Sequence, residues 1–504
     1  MDDIQEFCEK CKLLQIDDAA LGGSQCSSAD GSSYLVLDDQ DRPRELDTGY
    51  RFEDSFPELP RLAAGCHCCK WLMNTLRDKL EPREDAHRVI LSLSYVWKLP
   101  ITASFPTLPP DRGLAALLLQ VDFMPTAPNI GQKEASQARI SFDIDSISDS
   151  CISWLRLEHS PEPDILNVKN IEWMKKYQQR ERKKWEILDH TQGKNPFLPT
   201  RLVDLGSDDQ DQPSRLVLSK DILNLNSTLE IEYAALSYCW GPPAEAKFQF
   251  KTEPVTLAER LTYIDICNTT AVMKDAAKVC KALGIRYLWI DAVCIVQGDT
   301  VDWERESKQM SLIYTNATAV IASISSNSCH QGFLERSKQS MHVHFHSRIN
   351  PGVSGHYILR YSQVLGNDSV RNPMLTDIAE SVWDTRAWTY QESVLARFII
   401  MFGRRKIHLV TSRGGISEGE KTFIYNFDPK IPLLDEYLKG GKHLSSKFIH
   451  NNWMEWIDEF SNKNLTNPDD KFPALWGIVA YFQDLLQDRF VAGTWLQDLY
   501  RELY

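Results

Sequence analysis

The sequence predicts an α/β protein: a mostly parallel sheet flanked by helices over residues 230–402, with a cysteine-containing, β-rich N-terminal region before it and a helical segment after it. Three observations carry this. After residue 230, short apolar runs alternate with stretches of helical spacing, the pattern of parallel strands joined by crossover helices. Val272, Ala276, Val279 and Leu283 recur on one helical face, and Gly284 follows as a C-cap. Residues 286–295 are apolar almost throughout, as a strand covered on both faces should be.

The elements follow in order. Residues 1–86 hold six of the twelve cysteines and many turn formers. Val89, Leu91, Leu93, Tyr95 and Trp97 mark the period of two of a half-buried strand. Residues 114–123 and Ile140, Phe142 and Ile144 repeat it, so residues 87–155 read as a small antiparallel β unit. Ser160-Pro-Glu-Pro-Asp164 is a linker within 156–229, which holds a helix near 171–188 and a strand-rich lead-in. In 230–402, strands are expected at 234–238, 286–295, 317–322 and 397–402. Helices are expected at 272–283, along Trp303, Ser307, Met310, Tyr314 and Ala317, and around 386–395. Polar residues 325–380 read as an irregular insertion. Within 403–504, Ile449, Trp453, Trp456 and Phe460, then Leu475, Val479 and Phe482, recur at helical spacing, so this segment reads as mostly helical.

The 504 residues suit about three domains, and 43% apolar with 25% charged residues is the balance of a water-soluble globular chain. A net charge of −13 argues against a nucleic-acid partner, whose phosphates bind clustered Lys and Arg. The one basic run, Arg180 to Lys184, lies among Glu181, Glu186 and Asp189 and reads as a solvated helix face. Met1-Asp-Asp-Ile-Gln-Glu carries no secretory signal, and no apolar run is long enough to span a bilayer. The cysteines then read as reduced thiols in the cytoplasm.

Four blocks occur in order: Tyr233-Ala-Ala-Leu-Ser-Tyr-Cys-Trp-Gly241; Leu288-Trp-Ile-Asp-Ala-Val-Cys-Ile295 running on to Gln297; Glu306, Met310, Ile313, Tyr314 and Ala317 on one helix; and Arg386-Ala-Trp-Thr-Tyr-Gln-Glu392. Together they resemble the heterokaryon incompatibility (HET) domain of fungal self/non-self recognition proteins, closely over about 233–402. Pro57-Glu-Leu-Pro60 with Gly65-Cys66, Leu198-Pro-Thr-Arg201 and Ala492-Gly-Thr-Trp495 look like motifs of the family's flanks. Many relatives carry Cys and His before the Pro-Thr-Arg block; this chain has Tyr177, Glu181 and Lys184 there, which speaks against a metal at that point. HET domains look like remote relatives of Toll/interleukin receptor (TIR) domains, some of which hydrolyse NAD. The resemblance thus implies a TIR-like fold and a cytoplasmic effector of vegetative incompatibility and cell death, with protein partners or self-association. It implies NAD as substrate with no required cofactor, or else a non-catalytic oligomeric signalling adaptor. Relatives usually continue past the pattern that stops here at Leu499-Tyr-Arg-Glu-Leu-Tyr504, so a shortened family member is expected.

Glu392 is the candidate catalytic residue. Trp388 and Glu392 stand at i, i+4, the spacing of one helix face, and TIR-type NAD hydrolases resemble this. Loss of nicotinamide builds positive charge on the ribose, which a carboxylate stabilises without a metal. The alternative is that Glu392 pairs with Arg386, Arg397 or Arg404 and merely anchors the helix. Ser237, Trp240 and Gly241 end the first expected strand and Asp291 lies on the second, so they would face a ligand beyond the strands' carboxyl ends. There Trp240 would stack on a base, Asp291 would bind a ribose hydroxyl, and Trp388 would help shape the pocket. The alternative makes Trp240 a core aromatic and Asp291 a turn cap. No Gly-rich phosphate loop is present. Cys239 and Cys294 have no histidine within the blocks to activate them. Cys8-x-x-Cys11 and Cys66-His-Cys-Cys69 have zinc-ligand spacing, pointing to a structural zinc on Cys8, Cys11, Cys66 and Cys69, or to separate thiols. His342, His344 and His346 share a face if their segment is a strand.

Overall fold

The computed structural model describes residues 7–28, 31–37, 44–81, 86–97, 113–125, 137–190, 197–206, 213–225, 231–336, 339–365, 373–420, 424–425, 434, 445–491 and 493–498. Position 504, on which the expected shortening turned, lies outside the described residues. The chain forms two compact units, one of residues 1–161, 337–376 and 419–422, the other of 162–336, 377–418 and 423–504.

The first unit is built on a seven-stranded sheet. Six strands run in the order Ser340–His346, Ser354–Leu365, Gln137–Ser146, Leu114–Pro125, Ala86–Trp97 and Arg44–Ser55, all antiparallel to their neighbours. Glu158–His159 pairs parallel with Gln137–Ser146. The alternation at Val89, Leu91, Leu93, Tyr95 and Trp97 places all five side chains in one core with Trp71 and Leu72 of helix His67–Lys79. Residues 340–365, expected to be irregular, are instead a strand pair. The period-two run Met341, Val343, Phe345 is buried, and His342, His344 and His346 project on the exposed face.

The second unit carries a nine-stranded sheet in the order Ile424–Tyr425, Gly414–Ser417, Ile407–Thr411, Phe398–Phe402, Ala319–Ala322, Tyr233–Ser237, Tyr287–Trp289, Arg201–Asp204 and Arg215–Leu218. The expected mostly parallel sheet needs correction. Only the central four, from Phe398–Phe402 to Tyr287–Trp289, are mutually parallel, and the five flanking strands are antiparallel. The cause is chain length: Ile407–Thr411 and Gly414–Ser417 follow within a few residues, and so short a link can only reverse the chain. Ile407–Thr411, Gly414–Ser417 and Ile424–Tyr425 therefore extend the sheet, and within the C-terminal segment helices occupy Ser446–Ser461 and Lys471–Leu486. Residues 286–295 are not one strand either. The strand is Tyr287–Trp289, and Asp291–Cys294 coils into one helical turn.

Helix Ala271–Leu283 buries Val272, Ala276, Val279 and Leu283, and Gly284 caps it with its N–H on Cys280 and Lys281 carbonyls. The C-terminal helices bury Ile449, Trp453, Trp456, Phe460, Leu475, Val479 and Phe482 in one cluster with Tyr390, Val394 and Leu395 of helix Ala387–Leu395. That cluster holds the helix carrying Glu392 across the sheet's parallel centre. Arg201, from the Leu-Pro-Thr-Arg motif, donates through Nε to the Cys294 carbonyl at 2.6 Å and ion-pairs with buried Asp302 and Glu306.

Candidate functional site at the carboxyl ends of the parallel strands

The four parallel strands end side by side, and three of the ends carry polar side chains. Ser237 is the last residue of its strand, with Trp240 and Gly241 in the turn beyond. Asp291 opens the helical turn beyond Tyr287–Trp289. Ser323, Ser325 and Ser326 follow Ala319–Ala322, tied down by Ser323 N–H to the Ser237 carbonyl and Ser325 N–H to the Phe402 carbonyl, both 3.0 Å.

Glu392 points at this edge. It is buried, and its carboxylate accepts from the Ser237 hydroxyl. That hydroxyl in turn accepts from the Trp383 indole N–H at 2.7 Å, which fixes its proton toward the glutamate. Burial pushes the Glu392 carboxyl up to about 7; the Ser237 bond opposes this, the nearby Asp291 charge adds to it, and Arg386 and the Tyr314 hydroxyl pull it down. Among the described residues Glu392 makes no ion pair. Arg386 instead donates to the Tyr238 carbonyl at 2.6 Å, and Arg397 lies over the Trp185 ring. The carboxyl is therefore poised between its two protonation states near neutral pH, the condition under which a carboxyl exchanges protons with a reactant.

A second pair lies beside it. The Trp240 indole donates to Asp291 Oδ2 at 2.9 Å, and the Ala292 N–H donates to Oδ1 at 2.7 Å. Burial raises the Asp291 pKa against these donors. Asp291, Trp240 and Gly241 are only half-buried, so this end of the site reaches solvent. Gly241 has φ +98°, and a Cβ there would stand 2.7 Å from Ser328 Oγ. A side chain is thus excluded twice, by backbone conformation and by space.

Trp388 does not join them. Its indole donates to Asp470 at 3.2 Å and its ring packs on the C-terminal cluster, while Gln391 accepts from the Gly477 N–H at 3.0 Å. The i, i+4 spacing put Trp388 and Glu392 on one face, but their side chains part, because the C-terminal helices cover the outer side of this helix. Three residues missed from sequence complete the surroundings of Glu392: Trp383, Tyr314 and Arg386, the last seen only as a counter-charge. The Ser323, Ser325 and Ser326 hydroxyls, buried without a hydrogen-bond partner among the described residues, were missed too. Their one sequence signal was the serine-rich run after an apolar strand.

Residues 233–392 match the model of the heterokaryon incompatibility protein (HET) family. The chain carries a HET domain. No curated protein and no solved structure matches the chain. All six residues singled out at the strand ends and on the Ala387–Leu395 helix fall within the HET match, and Glu392 closes it. Other groups in or near the HET domain are less suited to chemistry. Burial raises the Cys239 thiol and pushes Cys294 up to about 12, so both are inert. A Ser–His–Asp array exists at Ser417, His408 and Asp377, with His408 at 3.0 and 2.9 Å from its neighbours. It is sealed in the core, and Arg405 holds the same Asp377, so it is a buried network rather than a nucleophile.

The first unit holds the metal-ligand grouping found among the described residues: Cys8, Cys11, Cys66 and Cys69, whose sulfurs all lie within 4.8 Å of one another. Such a set could bind a metal ion. His342, His344 and His346 join no such grouping. Among the described residues no helix is long and apolar enough to cross a membrane.

Proposed function

We propose that the HET domain hydrolyses the nicotinamide–ribose bond of NAD, as a cytoplasmic fungal effector of heterokaryon incompatibility and regulated cell death. One observation carries the chemistry: a buried glutamate that makes no ion pair among the described residues, held by a serine at the ends of parallel strands, with its carboxyl raised to about 7. In NAD the departing nicotinamide takes the bonding electrons and leaves neutral, so no acid is needed. The positive charge moves to the ribose, where ionised Glu392 stabilises it. Water then bonds to the ribose carbon, and Glu392 takes the proton that water loses. Trp240 offers a face for the nicotinamide or adenine ring, and Asp291 an acceptor for a ribose hydroxyl. The unpartnered Ser323, Ser325 and Ser326 hydroxyls suit the remaining oxygens of such a ligand. Protein partners or self-association would couple this site to its trigger.

The test is incubation of purified protein with NAD and measurement of free nicotinamide. Wild type should release it, and Glu392→Gln should lose at least a hundredfold in rate while staying folded. The second reading, a non-catalytic oligomeric adaptor, draws on the exposed apolar side chains Phe248, Val255 and Tyr263 in the stretch after the first parallel strand. A folded Gln variant that still kills cells would favour the adaptor and end the catalytic reading.

A further inference from the structure

The cysteine cluster of the first unit lies outside the HET match and plays no part in the chemistry above. We propose that Cys8, Cys11, Cys66 and Cys69 bind one structural zinc ion. Four thiolates around zinc at about 2.3 Å make a tetrahedron with sulfur–sulfur edges of about 3.8 Å. Cys69 Sγ lies 3.7, 3.5 and 3.7 Å from the sulfurs of Cys8, Cys11 and Cys66. With three edges at that spacing and all four sulfurs within 4.8 Å of one another, two Cys-x-x-Cys pairs more than fifty residues apart in sequence are arranged for one central ion.

Three further observations point the same way. Cys66 is the N-cap of helix His67–Lys79, so Cys66 and Cys69 sit at its first turn, whose free N–H groups and positive dipole end suit an anionic zinc–thiolate centre. A Cβ at Gly65 would stand 2.6 Å from both Cβ and Sγ of Cys69, so the backbone there is kept bare to let that sulfur in. The Tyr50 hydroxyl is buried without a hydrogen-bond partner among the described residues and lies within electrostatic range of Cys11, Cys69 and Cys8. It makes no hydrogen bond to any of the four sulfurs among the described residues, so its part is that of a buried polar group left for the outer shell of such a centre. Four protein ligands leave no open position, so the ion is structural: it ties the Cys11–Leu14 turn to helix His67–Lys79. The choice of zinc over iron follows from a tetrahedral all-sulfur set with no role in electron transfer at hand.

The full chain, expressed with zinc in the medium, should carry about one zinc per molecule by elemental analysis. Cys69→Ser should abolish the zinc, and Cys26→Ser, outside the cluster, should keep it. Gly65→Ala should weaken zinc about tenfold or more in competition with a chromophoric chelator, as outer-shell changes do. If Cys69→Ser fails to fold, wild type decides alone: chelator-treated chain titrated with cobalt(II) should develop the visible bands of a tetrahedral thiolate site at one equivalent. Overturning results are a metal-free chain with no cobalt spectrum, an iron-loaded coloured chain, or an intact mass showing that the cluster has closed into disulfides.

Discussion

Replacing Glu392 with Gln offers a test of its surroundings that does not depend on activity. Burial carries the carboxyl from its ordinary 4.5 to about 7 in the folded protein. At about 1.4 kcal/mol per pH unit, holding it ionised costs the fold about 3 kcal/mol. The sign follows from proton counts: between 4.5 and 7 the folded state binds more protons than the unfolded, so wild-type stability falls as pH rises through that window and levels off above it. Gln is neutral throughout and escapes this loss, though its buried amide brings a fixed cost of about 1–2 kcal/mol for an unmatched N–H group. The fixed cost cancels in the comparison across pH. Urea unfolding of both proteins at pH 4.5 and pH 8 should therefore show the Gln-minus-wild-type difference moving by about 3 kcal/mol in favour of Gln. A flat difference, or one moving the other way, would mean that a cation holds Glu392 ionised and would refute the environment described here.

Three other changes test neighbouring features. Arg201→Met should cost about 3–5 kcal/mol, because it leaves Asp302 and Glu306 buried with only half-exposed Arg305 beside them; an unchanged urea midpoint would contradict this. Gly241→Ala should destabilise by about 2 kcal/mol or more, from its positive φ and the contact with Ser328; a thermal scan in which the variant matches wild type refutes it. Trp240→Phe removes the donor to Asp291 Oδ2 and should cost about 1–3 kcal/mol at pH 8. The loss should shrink as pH falls, because burial already raises the Asp291 carboxyl and losing a donor raises it further, and a loss independent of pH would deny the bond.

The parts legible in the sequence were those set by near neighbours. Helix Ala271–Leu283 could be read because its apolar spacing and Gly284 lie within one short stretch. The strand at Tyr233–Ser237 and the strand at Ala319–Ala322 were legible for the same reason. Residues 286–295 were misread because a fully buried helical turn and a fully buried strand are equally apolar, and periodicity cannot separate them. The Ser340–His346 strand was passed over although Met341, Val343 and Phe345 alternate, because the histidines between them made the segment look merely polar. At the site, Glu392 and Ser237 could each be picked out, but their bond spans 155 positions. Whether Trp388 faced the strand ends depended on Asp470 and the helices beyond residue 445, which no local pattern reports. The cysteine pairs were readable by spacing; their meeting is a property of the fold alone.

The strand pair formed by Ser340–His346 and Ser354–Leu365 sets an order of events on the ribosome. Gln137–Ser146 pairs on one side with Leu114–Pro125, made just before it, and on the other with Ser354–Leu365, made some two hundred residues later. Until that later segment emerges, the nascent first unit presents Gln137–Ser146 as an open edge, the kind of edge that recruits other chains. The first three parallel strands of the HET domain are translated within that interval. A gene fragment ending near residue 336 would make the delay permanent, and one cut to the 233–392 match would carry two strands with no sheet to join. The HET domain of this protein is thus not a segment that can be excised and transplanted whole; engineering it calls for deleting or replacing residues 337–376 as well as choosing its ends.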